Sequence, residues 1–175
     1  MLNSANRTSR MIDDLLDLTR TRFGDPTPVV REPMDLHPLC RQVVAELEEL
    51  RSAGALEYTS TGGIHGEWDH DPVAQLFSNL VRNAIQQGAE TDAIKITATG
   101  HTEEVVLSVH NTGTAIPHRV MTAISEPMIR ITDEPHNAGL GLYIASQVAL
   151  AHDGTLDAKS TEAAGATFTA HLPRR

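Results

Sequence analysis

Cysteine is almost missing from this chain of 175 residues: Cys40 stands alone, which excludes a disulfide framework and any cysteine-built zinc cage. Aromatic side chains make up only 3%, so the core has to be assembled from Leu, Val, Ile and Ala. Basic residues are outnumbered, 14 against 23 acidic ones, and the resulting net charge of −9 argues against bulk nucleic-acid binding. No apolar run reaches the length of a membrane span, and no signal peptide opens the chain. What is present, 40% hydrophobic and 21% charged, is the composition of a soluble globular chain with room for one domain and a little more.

The segment Met1 to Gly24 reads as a helix, with Met11, Ile12, Leu15, Leu16 and Leu18 recurring at helical spacing between charged residues. Gly24-Asp25-Pro26-Thr27-Pro28 stops it and reads as a linker. The apolar stripe either packs on the domain that follows or seeks a partner. Val29 to Met34 suggests a short strand, and Asp35 caps a helix from Leu36 to about Ala53 with Leu39, Val43, Leu47 and Leu50 inward. Leu56 to Thr61 and Ile64 to Trp68 read as strands joined by Gly62-Gly63, a hairpin signal. Asp69 or Asp71 caps a second helix from Pro72 to about Gly88. Ala93 to Thr99 and Val105 to His110 alternate as strands. The irregular stretch from Asn111 to Ala138 has the length of a functional loop or lid. Gly139 to Ala151 returns to helical periodicity, and strands at Thr155 to Ser160 and Ala166 to Leu172 close the chain. This order defines an α+β fold rich in antiparallel pairs.

Three motifs carry chemistry. Asn79 and Asn83 lie one turn apart on the same helical face, among Leu76, Leu80 and Ile85. Asn is a poor helix-interior residue, so the pair calls for a polar ligand, such as Mg²⁺ with phosphate oxygens, or for a neighbouring loop that satisfies it. Asn111-Thr112-Gly113 directly follows a strand: Asn111 offers donor and acceptor to a base edge, and Gly113 admits a flat ligand, unless this is an ordinary turn. Gly139-Leu140-Gly141-Leu142 opens a helix whose free N–H groups suit a phosphate, although no third glycine completes a dinucleotide fingerprint.

In this order, with a long loop between the second and third, the motifs resemble those of the ATP-binding domain of sensor histidine kinases, in the superfamily shared with gyrase, mismatch-repair ATPases and the heat-shock chaperone. The matching text runs Trp68-Asp69-His70-Asp71-Pro72, Asn79-Leu80-Val81-Arg82-Asn83-Ala84, Asn111-Thr112-Gly113, Gly139-Leu140-Gly141-Leu142-Tyr143-Ile144-Ala145, Gly165-Ala166-Thr167-Phe168-Thr169 and Leu172-Pro173. Arg10 to Arg20 looks like the second helix of the kinase dimerisation domain. The resemblance implies a two-layer α/β sandwich with a mixed, largely antiparallel sheet. Residues 1–24 would be part of the dimerisation domain and residues 29–175 the catalytic domain. It further implies Asn83 as the Mg²⁺ ligand, with Asn79 lining the same site. Asn111 would sit on the adenine amino group, Gly113 against the base, a lid would span about Thr114 to Ala138, and Gly139, Leu140, Gly141, Leu142 and Thr167 would complete the ATP site. The implied partners are ATP, a response regulator and a second copy through the N-terminal helix, with a cytoplasmic location.

The chain departs from the family pattern at several places. Asn111 replaces the usual Asp, Ala115 a frequent glycine, Gln86 and Gln87 a basic residue and a Tyr or His, and Met128 an aromatic lid residue. None of the nine histidines begins the phosphoacceptor pattern, and most read as exposed strand or loop residues. The expectation is therefore a kinase catalytic part whose acceptor histidine lies elsewhere, the alternatives being an interaction module with a decayed site and an anti-sigma-type serine kinase.

Overall fold

The computed structural model describes residues 29–49, 51, 53–113, 115 and 138–175, with the side chains of residues 138–140 left aside. The expected helix before Gly24, the lid apart from its residues 115 and 138, Thr114 and Met128 lie outside the described residues, as do Leu50 and the side chain of Leu140.

Strand β1 (Glu32–Asp35) leads into helix α1 (Leu36–Glu48). Asp35 caps that helix, its carboxylate accepting from the His37 amide at 3.0 Å. Leu36, Leu39, Cys40, Val43, Val44 and Leu47 form the buried stripe of α1, and the helix ends before the expected Ala53. Strands β2 (Leu56–Thr61) and β3 (His65–Trp68) precede helix α2 (His70–Gln87). Strands β4 (Ile94–Gly100) and β5 (Glu104–Asn111) follow, then helix α3 (Ala138–Ala151) and strands β6 (Thr155–Thr161) and β7 (Gly165–Pro173).

Five strands form one mixed sheet in the order β2-β4-β5-β7-β6, antiparallel except for the β2–β4 pair. Alternation along β5 and β7 puts Val105, Leu107, Val109, Ala166, Phe168, Ala170 and Leu172 on the buried face under the helices. The opposite face carries Thr, Ser, His and Val106. This is the expected α+β sandwich of two layers.

One expectation fails: β2 and β3 do not form a hairpin. β2 pairs in parallel with β4 (Leu56 opposite Ile94), whereas β3 pairs antiparallel with β1 in a separate two-stranded sheet. Gly62-Gly63 marks the exit from one sheet toward the other, and distant residues hold that exit. The Arg174 guanidinium donates to the carbonyls of Gly63 (2.7 Å), His101 (2.8 Å) and His65. Trp68, fully buried, donates its indole N–H to Pro173 O at 2.7 Å.

His152, just beyond α3, is fully buried. Its Nδ1 donates to Val148 O at 2.8 Å, and its Nε2 accepts from the Asp69 amide at 3.1 Å. Those two bonds fix a neutral tautomer and tie the last turn of α3 to the first residue ahead of α2. Asp69 is the N-cap position of α2, yet its carboxylate makes no capping bond and accepts instead from the Val30 amide at 3.0 Å. Arg31 pairs with Asp153 at 2.6 Å, just beyond α3.

Candidate functional site

Helices α2 and α3 pack side by side over the sheet, and the three motifs gather where α2, the start of α3 and the end of β5 meet. Asn83 is almost completely buried on the inner face of α2, between Leu80 and Ala84. Asn79 is half-buried one turn earlier and faces Gly141 of α3: a Cβ placed on that glycine would lie 3.6 Å from the Asn79 carboxamide, an ordinary contact. Packing against Asn79 therefore does not demand a glycine at 141. Arg82, the one Lys or Arg of α2, is turned back along the helix, its Nε donating to Ser78 Oγ at 3.1 Å.

Asn111 sits at the end of β5 on the buried face, with no exposed surface. Its Nδ2 donates to Thr112 O at 3.1 Å. A carbonyl can only accept, so this bond settles which end of the amide is nitrogen and turns Oδ1 inward. The end of α2 comes to meet this strand end: Gly88 bridges to Gly113, and the Ala89 amide donates to Thr112 O at 2.9 Å. Gly113 has φ 135°, and a Cβ there would approach Gln87 O to 2.6 Å, so the glycine is demanded by this close crossing as well as by any ligand.

Four buried side-chain polar atoms lack a partner among the described residues, and three belong to this site: Nδ2 of Asn79, Nδ2 of Asn83 and Oδ1 of Asn111. Leaving such groups unpaired costs free energy, about 1–3 kcal/mol each, so the cluster favours a ligand that pairs with them. Two orphan donors beside a helix start suit an anion, and one orphan acceptor suits an amino group. From Asn79 to Gly88, where α2 meets the Asn111 end, the helix axis runs about 13 Å at about 1.5 Å per residue. A ligand carrying phosphate at one end and an aminated base at the other matches that row.

Not every expected site residue joins it. The backbone of Gly139 and Leu140 lies in the first turn of α3, where free N–H groups face outward from the helix start. Leu142 is buried and belongs to the core. Thr167 lies on the other face of the sheet, its hydroxyl 2.9 Å from His110 Nδ1 and paired in register with that residue. The strand alternation puts Ala166, not Thr167, opposite Asn111 on the buried face. Sequence reading also passed over Gly88, although a glycine that ends a helix and pairs with another glycine signals a close backbone crossing.

The fold has clear counterparts among known nucleotide-binding domains. The family described as histidine kinase-, DNA gyrase B- and HSP90-like ATPases matches residues 68–175. The chain belongs to this family. A bacteriophytochrome of Pseudomonas aeruginosa is 30% identical over 98% of this chain and 24% of its own length. The sensor histidine kinase ZraS of Escherichia coli K12 is likewise 30% identical, over 99% of this chain and 36% of ZraS. Among solved structures, the catalytic domain of the histidine kinase ThkA superposes with a TM-score of 0.69 at 27% identity, covering 82% of this chain and 95% of that one. Within the family this is the ATP-binding domain of the histidine kinase type, the catalytic domain of two-component sensor kinases. The chain spans about a quarter to a third of those two curated relatives. Among the described residues no helix is long and apolar enough to cross a membrane, and no group of three His, Cys, Asp or Glu is arranged to hold a metal ion.

Proposed function

We propose that this domain binds Mg·ATP along the row from Asn111 to Asn79 and passes the γ-phosphate to a histidine of another segment or chain. The observation that supports it is the trio of buried orphan polar atoms, one acceptor and two donors, laid out in that order. Asn111 Oδ1 takes the adenine amino group; guanine would present a carbonyl there and leave two acceptors facing each other. Asn79, Asn83 and the start of α3 take the triphosphate.

The donor set fits Mg²⁺ bound mainly through its substrate. The protein offers a neutral amide oxygen, from Asn83, and no carboxylate cage among the described residues, so phosphate and water oxygens fill the remaining positions. When bound, the ion neutralises charge that builds on the β- and γ-phosphates. In the transfer an imidazole nitrogen bonds to the γ-phosphorus, the bond to the bridging oxygen breaks, and ADP leaves with that electron pair. Residues 1–24 act as the second helix of a dimerisation hairpin and residues 29–175 as the catalytic domain. The full kinase works as a cytoplasmic homodimer or cytoplasmic portion, serving a response regulator.

Titration calorimetry with ATP and Mg²⁺ tests the site. Saturable binding that disappears in Asn83→Ala is expected; no saturable binding, or the same binding in the variant, overturns the reading. Adding a separate phosphoacceptor hairpin and radiolabelled ATP tests the reaction, with label expected on the hairpin and none on this chain alone. Binding without transfer would make the domain a non-catalytic module.

A further inference from the structure

Arg51 follows α1, far in sequence from every motif described above, and its half-buried guanidinium has four carbonyl oxygens as its partners. Nη1 donates to Ala55 O at 3.3 Å. Nη2 meets Ala89 O at 3.3 Å, Glu90 O at 3.2 Å and Asp92 O at 2.6 Å. Three of these carbonyls belong to the turn that leaves α2. That helix has no basic residue in its own last turn, so Arg51 brings a cation from another element to its negative end.

The same turn is tied to the strand end that carries Asn111. Ala89 N–H donates to Thr112 O, Asp92 Oδ2 accepts from Thr112 Oγ1 at 2.6 Å, and Gly88 bridges Gly113. Thr112 O is also the acceptor that holds Asn111 Nδ2. A chain of contacts thus runs from the guanidinium through Ala89 and Asp92 to Thr112, and from Thr112 to the amide whose Oδ1 is left facing inward. Gly54 leaves room for it: with φ 75°, a Cβ there would lie 2.5 Å from Arg51 Nη2.

We infer that Arg51 is a positioning residue for base selection, holding the 89–92 turn so that Thr112 fixes the Asn111 amide with its acceptor toward the base. The inference rests on the nucleotide reading above and deepens it. It separates the two ends of the site, because Asn79, Asn83 and the start of α3 do not share the Arg51 contacts.

The test compares ATP and GTP affinities, by displacement of a fluorescent nucleotide, with amide hydrogen exchange in the nucleotide-free chain. Arg51→Gln should weaken ATP about tenfold, the scale of one lost charge-assisted bond, leave GTP unchanged and speed exchange at the Ala89 amide. Arg51→Lys should fall between, since a compact ammonium reaches fewer of the four carbonyls. Thr112→Val, an exposed change that leaves the core alone, should shift the ATP/GTP ratio in the same direction, and the double variant should be no worse than Arg51→Gln. ATP and GTP weakening together, or an unchanged ratio with unchanged Ala89 exchange, overturns the inference. If the unaltered chain shows no preference for ATP, the adenine reading falls with it, while Ala89 exchange still reports whether Arg51 holds the turn.

Discussion

At the scale of single residues, the site is defined by what its side chains leave unsatisfied. Asn111 stands where the family pattern has an Asp, and Thr112 O occupies the donor end of its amide. The opposite case is a pair whose protons are held. Burial pushes the Cys40 thiol from its ordinary 9.0 to about 12, with the Asp35 charge adding to this and the neighbouring Tyr58 hydroxyl opposing it. Burial likewise raises Tyr58 from 10.0 to about 12, with Cys40 beside it contributing. Both groups release protons more readily in the unfolded chain. Their stabilisation is therefore intact below pH 9.0 and drains away as pH rises toward about 12. Urea unfolding should show a midpoint that falls above pH 9 and a shallower fall in Cys40→Ala. A flat profile to pH 11 would contradict it.

At the scale of elements, the motif-bearing pieces were legible in the sequence because they are local. Periodicity marks α1, α2 and α3, alternation marks β4, β5 and β7, and Asp35 marks a helix start. Which strands pair was not legible for β2 and β3. The Gly62-Gly63 signal describes a turn, and a turn does not say whether the chain folds back or departs. The deciding contacts come from Arg174 and Pro173, more than a hundred residues later. Thr167 was misplaced for a related reason: a one-residue shift along a strand changes the face, and a motif match does not fix that parity. The burial of His152 was not legible either, because its second bond comes from Asp69, 83 residues earlier in the chain. The Arg174 clamp carries its own prediction. Arg174→Ala should cost about 2 kcal/mol in urea unfolding, as three carbonyls lose a charged donor together. A loss under about 0.5 kcal/mol would mean that water replaces the guanidinium.

At the scale of the whole molecule, the net charge of −9 belongs to a chain expected to attract a polyanion. Amide donors and a helix start act within a few ångströms, whereas the overall charge acts out to the Debye length, about 10 Å at 0.1 M salt. Salt should therefore weaken the long-range repulsion more than the short-range attraction. The association rate of Mg·ATP, followed by stopped-flow, should rise as salt increases from about 10 to 150 mM. A falling rate would point to a local positive field that dominates approach.

The chain enters this domain at Val30 and Arg31, and both are fastened, one to Asp69 ahead of α2 and the other to Asp153 beyond α3. His152 joins those two anchor points to each other. From Asp69 to Asn79 the helix runs about 15 Å with no break in its backbone ladder. A tug on Val30 is thus a load on the butt ends of two stiff rods whose other halves carry Asn79, Asn83 and Gly141.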